Sequence, residues 1–272
     1  LIETARQRQL PTVAIVFEPQ PHEFFSAEKA PARLMRLREK VNALWAAGVD
    51  RVVCLHFNQQ MRSLSAEDFI QRVLVYGLDI KHLVVGDDFR FGCDRRGDFA
   101  LLQSKGQELG FSVSDTHTLE MDGARVSSTR IRQLLEAGDF AEAAKLLGKE
   151  YSIHGRVVYG KQLGRQLGVP TANVDLRRYR SPLHGVFAVT VTFVDGEVVQ
   201  GVANIGVRPT VDGSKKPLLE VHLFEFSRSI YGAVIDVIFK RKLRDEQKFA
   251  SLDELKAQLQ TDIAQARDFF KS

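Results

Sequence analysis

Near residue 149 the hydrophobic pattern changes from strands separated by helices to strands alone, and this change restricts the available folds more than any other feature. Beyond it, SIHGRVVYG, GVFAVTVTFV, EVVQGVANIG, LLEVHLFEF and AVIDVIFK all read as strands, with Asp195-Gly196 as a two-residue hairpin signal between the second and third. Five strands on short turns with no helix between them point to a closed or nearly closed antiparallel barrel. An amphipathic helix from about Leu252 to Phe269 follows, with Leu255, Leu259, Ile263 and Phe270 available to pack against it. Ahead of residue 149, TVAIVF (12–17), RVVCLHF (51–57) and IKHLVVG (80–86) are short β-rich apolar runs, and the unalternating first of them suggests a strand buried on both faces. Helical spacing fills the intervals: 33–47 with Leu34, Leu37, Val41, Leu44 and Trp45, Ser65 to Gly77 with Phe69, Ile70, Val73 and Leu74, and a helix near 98–109. Strands alternating with helices of this length form βαβ units and a doubly wound parallel sheet, whose ligands lie beyond the carboxyl ends of the strands. A chain of 272 residues is long enough for two cores, so an α/β domain over 1–148 and an all-β domain over 149–272 are expected.

Composition narrows the function classes. Hydrophobic residues make up 44% and charged ones 26%, and no apolar run approaches the roughly 20 residues of a membrane span, so a soluble protein is expected. Cys54 and Cys93 stand far apart without a CxxC pair, which indicates neither a disulfide framework nor a zinc site and suits reduced thiols in a cytoplasm. The net charge of +4 would suit an anionic ligand, but 38 basic residues against 34 acidic ones is a small excess. LIETARQRQL reads as a helix already under way, so a preceding segment is expected.

Chemistry concentrates in a few stretches. GKQLGRQLGVPTANVDL (160–176) has Gly160, Gly164 and Gly168 to let the backbone approach a ligand, and Lys161 and Arg165 to add positive charge. Pro170 then leads into Thr171 and Asn173, whose side-chain oxygens are hard donors of the kind Mg²⁺ accepts. A glycine-rich surface turn fits the same local composition equally well. In LLEVHLFEF a period of two puts Glu220 on one face with His222, Phe224 and Phe226, where a carboxylate among rings could act as a general base; an exposed strand glutamate is the alternative. Two loops follow front-half strands. PQPHEFF includes Pro21 and His22, and GDDFRFG pairs carboxylates, Asp88 among them, with Phe89 and Phe91, suited to a flat, partly polar ring or simply to plugging the core. RVSSTRIR places Ser127, Ser128 and Thr129 at a helix start near Arg125 and Arg132, a phosphate site or plain N-cap chemistry. GRVVYGKQ matches GxxxxGK but lacks the following Ser or Thr, and its interior is a strand; no HExxH or GxSxG occurs.

Taken together these segments resemble the bacterial bifunctional riboflavin kinase/FAD synthetase family over nearly the whole chain. GRQLGVPTAN (164–173) matches the kinase mark GRxLGxPTAN, and NIGVRPT (204–210), EVHLF (220–224) and KLRDEQKF (242–249) resemble its other marks in order. The resemblance implies a Greek-key type barrel in which Thr171 and Asn173 hold Mg²⁺-ATP, Glu220 activates the ribityl 5′-hydroxyl, and Arg244, Glu246 and Phe249 meet the flavin. FEPQPHEFF, GDDFRFG and RVSSTRIR resemble marks of the Rossmann-like FAD synthetase module, implying that Arg125, Ser128 and Thr129 contact ATP phosphates and that the GDDFRFG loop lies on the FMN side. The family's GxFDGxHxGH loop is absent from these residues, so the adenylyl-transfer site is expected to be incomplete by about one strand and its turn. The implied substrates are riboflavin, FMN and ATP, with FAD as product, no nucleic acid or membrane partner, and weak self-association. A non-catalytic flavin-binding regulator and a basic nucleic-acid-binding barrel are the rival readings.

Overall fold

The computed structural model describes the chain except residues 87, 94, 117, 161–163, 165–167, 210–214 and 272, and the side chains of 208, 209, 215 and 216. It divides into two compact units: residues Leu1–Ala30 with Lys40–Arg125, and Pro31–Glu39 with Val126–Ser272.

The first unit begins with α1 (Ile2–Arg8) and β1 (Val13–Glu18); α2 (Pro21–Phe25) and α3 (Leu37–Ala46) precede β2 (Arg51–His56). β1 and β2 pair in parallel from Val13↔Arg51 to Glu18↔His56. Two short helices, α4 (Gln59–Arg62) and α5 (Ala66–Asp68), lead into a π-helical segment, Phe69–Gly77. The Ser65 hydroxyl caps α5 by accepting from the Asp68 N–H at 3.0 Å. β3 (His82–Val85) pairs in parallel with β4 (Ser112–Asp115), and α6 (Phe99–Leu109) runs between them. Asp98 caps α6 and Gly110, at φ 82°, ends it in the left-handed region. Phe69, Ile70 and Leu74 from the π-helical segment meet Phe91, Leu102 and Phe111 in the core.

The expected parallel sheet is thus present as two parallel pairs, β1–β2 and β3–β4. Among the described residues β1 and β3 each have a single partner strand. A cavity of about 450 Å³ lies along both, lined by Ala5 of α1, Val13 and Ile15 of β1, Leu74, and Leu83 and Val85 of β3. A small hairpin, β5 (Glu120–Met121) and β6 (Ala124–Arg125), turns on Asp122-Gly123 with both residues at positive φ. The helix expected over 33–47 is found as α3, but Trp45, one of the residues at helical spacing, is 56% exposed, and α3 has no fully buried residue.

In the second unit α7 (Ser128–Ala137) and α8 (Phe140–Leu147) precede the barrel strands β7 (Ser152–Val158), β8 (Ala172–Asp175), β9 (Gly185–Phe193), β10 (Val198–Pro209), β11 (Lys215–Leu223) and β12 (Val234–Arg244). The barrel closes in the order β10-β11-β8-β7-β12-β9, in which β9, β10 and β11 are consecutive and β8 returns beside β11, a Greek key. The sequence pattern anticipates five of these strands; the sixth, β8, lies near the end of the 160–176 stretch, which by sequence fits a phosphate cradle or a glycine-rich turn. The β9–β10 connection takes four residues, 194–197, with Gly196 at φ 88°. Phe187, Ile153, Val237 and Phe239 fill the interior, and Phe140 of α8 packs on Phe187 and Phe239. α9 (Leu252–Lys271) covers the outer face, where Ala266, Ile263 and Phe270 meet Val186, Ala188 and Val202.

A buried clasp ties residues 31–39 to the barrel. The Arg178 side chain, 0% exposed, donates to both carboxylate oxygens of Glu39 at 3.1 and 2.8 Å, to the Tyr151 hydroxyl and to the Arg33 carbonyl. Burial pushes the Tyr151 phenol up against the opposing pull of Arg178.

Candidate active site on the barrel

β11 alternates between the barrel interior and its outer face. Leu219 and Val221 point inward and are fully buried, which turns Glu220 and His222 outward. The register pairs Glu220 with Asn173 of β8 on one side and with Asn204 of β10 on the other. Residues directly opposite in antiparallel strands project from the same face, so one carboxylate stands between two carboxamides in a row across three strands. Asn173 is 5% exposed and Glu220 half-buried. The expected face is borne out as far as Phe224, which meets the His222 ring edge-on at 5.9 Å; Phe226, past the end of β11, stacks on Phe193 instead.

The glycines before β8 fit closely over this row. A side chain at Gly160 would overlap the Asn173 carboxamide, and one at Gly164 would strike the Val169 carbonyl and come within 3.1 Å of the Thr171 hydroxyl oxygen. Only bare α-carbons allow these approaches. The N–H of the buried Val169 donates to the Gly164 carbonyl at 2.8 Å. Gly168 sits at φ 77°, and Pro170 leads directly into Thr171. The Pro170 carbonyl accepts from His222 Nδ1 at 2.8 Å. Burial holds the His222 ring below the usual imidazole range; its bond to Pro170 opposes that shift and Arg267 adds to it. Lys161 and Arg165 lie outside the described residues.

The C-terminal candidates border the same face. Arg244 is bound in fork geometry to Asp262 of α9, with both bonds at 2.8 Å, and its guanidinium lies 5.8 Å from the Phe249 ring centre. Glu246 packs against the bare α-carbon of Gly206, two residues along β10 from Asn204. Neither Asp262 nor the His222 tether was anticipated; His222 stood on the Glu220 face by its period, whereas Asp262 had no sequence signal. Thr171 and Asn173 bring a hydroxyl and a carboxamide oxygen close beneath Gly164 and Gly160, a donor set whose chemistry suits Mg²⁺.

The front-half candidates are divided between the units. Pro21 opens α2 behind Gln20, whose N–H donates to Glu23, and Pro21 and His22 line a cavity of about 390 Å³ with Ile15, Lys40 and Leu44. Asp88 and Arg125 form an exposed pair at 3.5 Å. Phe89 lines the larger cavity and stacks on Phe91 at 5.4 Å; Phe91 itself is 7% exposed and belongs to the core, so this ring acts as a plug. In the second unit Ser127 caps α7 by accepting from the Arg130 N–H at 3.2 Å, with Ser128 and Thr129 in the first turn. Arg132 donates to the Ala32 carbonyl at 2.6 Å, and burial lowers its guanidinium pKa.

The sequence profile of the riboflavin kinase family matches residues 147–270, and that of the FAD synthetase family matches residues 1–130. A bifunctional riboflavin kinase/FMN adenylyltransferase from Pseudomonas fluorescens is 54% identical, over 98% of this chain and 85% of that protein. The protein of the same description from Escherichia coli K12 is 51% identical, over 99% of this chain and 86% of its own length. A crystal structure described as a macrolide-efflux protein from Streptococcus pneumoniae superposes with a TM-score of 0.74 at 31% identity, covering 96% of this chain and 84% of that one. Among the described residues, no helix here is long and apolar enough to cross a membrane. Matched over nearly its whole length by the two profiles together and by relatives more than half identical, the chain belongs to the bifunctional riboflavin kinase/FMN adenylyltransferase family.

Proposed function

We propose that residues 149–272 phosphorylate riboflavin to FMN on the outer face of the barrel, with Mg²⁺-ATP as donor, and that residues 1–148 carry the FMN adenylyltransferase part. The row Asn173–Glu220–Asn204 supports the kinase reading most directly. In that reading the Glu220 carboxylate takes the proton of the ribityl 5′-hydroxyl as its oxygen bonds to the γ-phosphorus and the bond to the ADP oxygen breaks. Thr171 and Asn173 would hold Mg²⁺, which when bound neutralises charge on the β- and γ-phosphates. The uncovered glycine backbone, with Lys161 and Arg165 by sequence alone, lies over the phosphates. Arg244, Glu246 and Phe249 border the flavin side. The deciding experiment measures riboflavin-dependent ADP release by the wild-type chain and by Glu220→Gln. Turnover of the variant is expected to fall on the order of 10²–10⁴-fold with flavin affinity little changed. Equal turnover would remove Glu220 from the base role, and flavin binding without riboflavin-dependent ATP consumption would favour a non-catalytic flavin-binding regulator.

For the front half, Pro21, His22, Asp88, Phe89, Phe91, Arg125, Ser127, Ser128, Thr129 and Arg132 remain the assigned adenylyltransferase candidates. The cavity along the singly partnered β1 and β3 supports the reading that FAD formation by these 272 residues lags FMN formation.

A further inference from the structure

His222 lies two residues beyond Glu220 on the same outward face of β11. The β11–β8 register runs Leu219↔Val174, Glu220↔Asn173, Val221↔Ala172 and stops there. Where the next pair would be His222 with Thr171, the His222 side chain reaches across and bonds the Pro170 carbonyl at 2.8 Å. A carbonyl can only accept, so the ring carries its proton on Nδ1. Pro170 has no N–H with which to enter a ladder, and a side-chain donor is a remaining way to hold it against β11. The ring is itself braced. Phe224 meets it edge-on at 5.9 Å, Phe224 is buried against α9, and the Arg267 guanidinium of α9 lies 4.6 Å from the Phe224 ring centre. A strut thus runs from α9 through Phe224 and His222 to the residue immediately before Thr171.

We propose that His222 is a positioning residue for the phosphoryl transfer: its Nδ1–H fixes the Pro170 carbonyl and thereby sets where Thr171 and Asn173 present their oxygens to Mg²⁺-ATP. It acts through the chain before β8, not on the substrate, and it rests on the kinase reading of Glu220, Thr171 and Asn173. The loss expected is that of one well-aligned hydrogen bond serving one substrate.

Two measurements test it. In steady-state kinetics His222→Leu should raise the KM for Mg²⁺-ATP about tenfold while the KM for riboflavin and the thermal midpoint change little. His222→Asn, whose amide N–H occupies nearly the place of Nδ1–H, should recover most of that loss. A KM for ATP unchanged in His222→Leu, equal rises in both KM values, or no recovery in His222→Asn would overturn the proposal. Independently of any activity, ¹⁵N spectra of the histidine-labelled wild-type chain should show His222 neutral at pH 7.5 with its proton on Nδ1. The Nε2–H tautomer would overturn the tether itself. If the wild-type chain shows no riboflavin-dependent ATP use, the kinase reading fails while the tautomer still reports whether the strut exists.

Discussion

Every strand of the barrel has two partners, whereas β1 and β3 in the first unit have one each among the described residues. The consequence is chemical as well as structural. Closure gives each of the six barrel strands a partner on both sides, so Asn173, Glu220 and Asn204 are held in one row by the β8–β11 and β10–β11 ladders. In the first unit the strands expected to present ligands at their carboxyl ends flank a cavity, and the segments after them, PQPHEFF, which is mostly α2, and GDDFRFG, begin from strands with one partner each among the described residues. One half of this chain holds its candidate chemistry on a finished scaffold. The other holds only part of its candidates after two parallel pairs, with Ser127, Ser128, Thr129 and Arg132 on α7 of the second unit.

The largest test of that contrast is the ratio of the two products. Supplied with riboflavin and Mg²⁺-ATP, the 272-residue chain should accumulate FMN, with FAD formed more slowly by 10³-fold or more, roughly the size attached to losing preorganised donors around a transferring phosphoryl group. Chromatographic separation of FMN and FAD over time measures it. FAD appearing at a rate comparable with FMN would show that the open edges of β1 and β3 do not limit the first unit.

The same contrast explains what could be read from the sequence. Glu220 was legible because a period of two is a local property, and Leu219 and Val221 on either side are plainly interior residues. β8 was not, since Pro170 and three short polar-to-apolar residues resemble a turn, and only its pairing with β7 and β11 makes a strand of it. Asp122-Gly123 offered a hairpin signal that went unread because its strands, β5 and β6, are two residues each. The helix at 33–47 was legible, but the burial of its apolar residues, Trp45 among them, was not. A helical apolar stripe was present, but α3 buries no residue completely, and periodicity cannot tell a half-covered face from a core one. The Arg178–Glu39 clasp joins residues 139 positions apart and left no trace in spacing or composition.

That clasp gives the second test, an ion pair in each unit. Arg178 is wholly buried and Glu39 nearly so, whereas Arg125 and Asp88 are both exposed. Arg178→Met should destabilise the second unit by about 3 kcal/mol, because it removes a buried partner from the Tyr151 hydroxyl and the Arg33 carbonyl and leaves the Glu39 carboxylate to Arg36 and the His154 N–H. Arg125→Ala should shift the first unit by no more than about 0.5 kcal/mol. Urea denaturation of each variant, followed by hydrogen exchange assigned to each unit, separates the two. Equal effects would mean that burial of the pair does not distinguish the halves.

The smallest expected effect is a pH dependence shared by one histidine in each unit. Burial is the leading cause that lowers both His82 and His222 from the ordinary value of 6.5. His82 has both ring nitrogens against hydroxyls, Ser112 at 2.7 Å and Ser114 at 3.0 Å, with Arg8 adding to the shift; His222 faces Pro170 and Arg267. An unfolded chain takes up protons at these sites near 6.5 while the folded chain resists, so the unfolded state binds more protons just below that value. Their contribution is therefore fully present above pH 6.5 and is lost as pH falls below it. Denaturation midpoints measured from pH 7.5 down to about 5, above the range where most carboxylates titrate, should decline. His222→Asn should flatten the decline in the barrel unit, and His82→Gln should flatten it in the first. Each replacement should flatten the decline of its own unit only; a barrel decline unchanged in His222→Asn, or a first-unit decline unchanged in His82→Gln, would remove that ring as its cause.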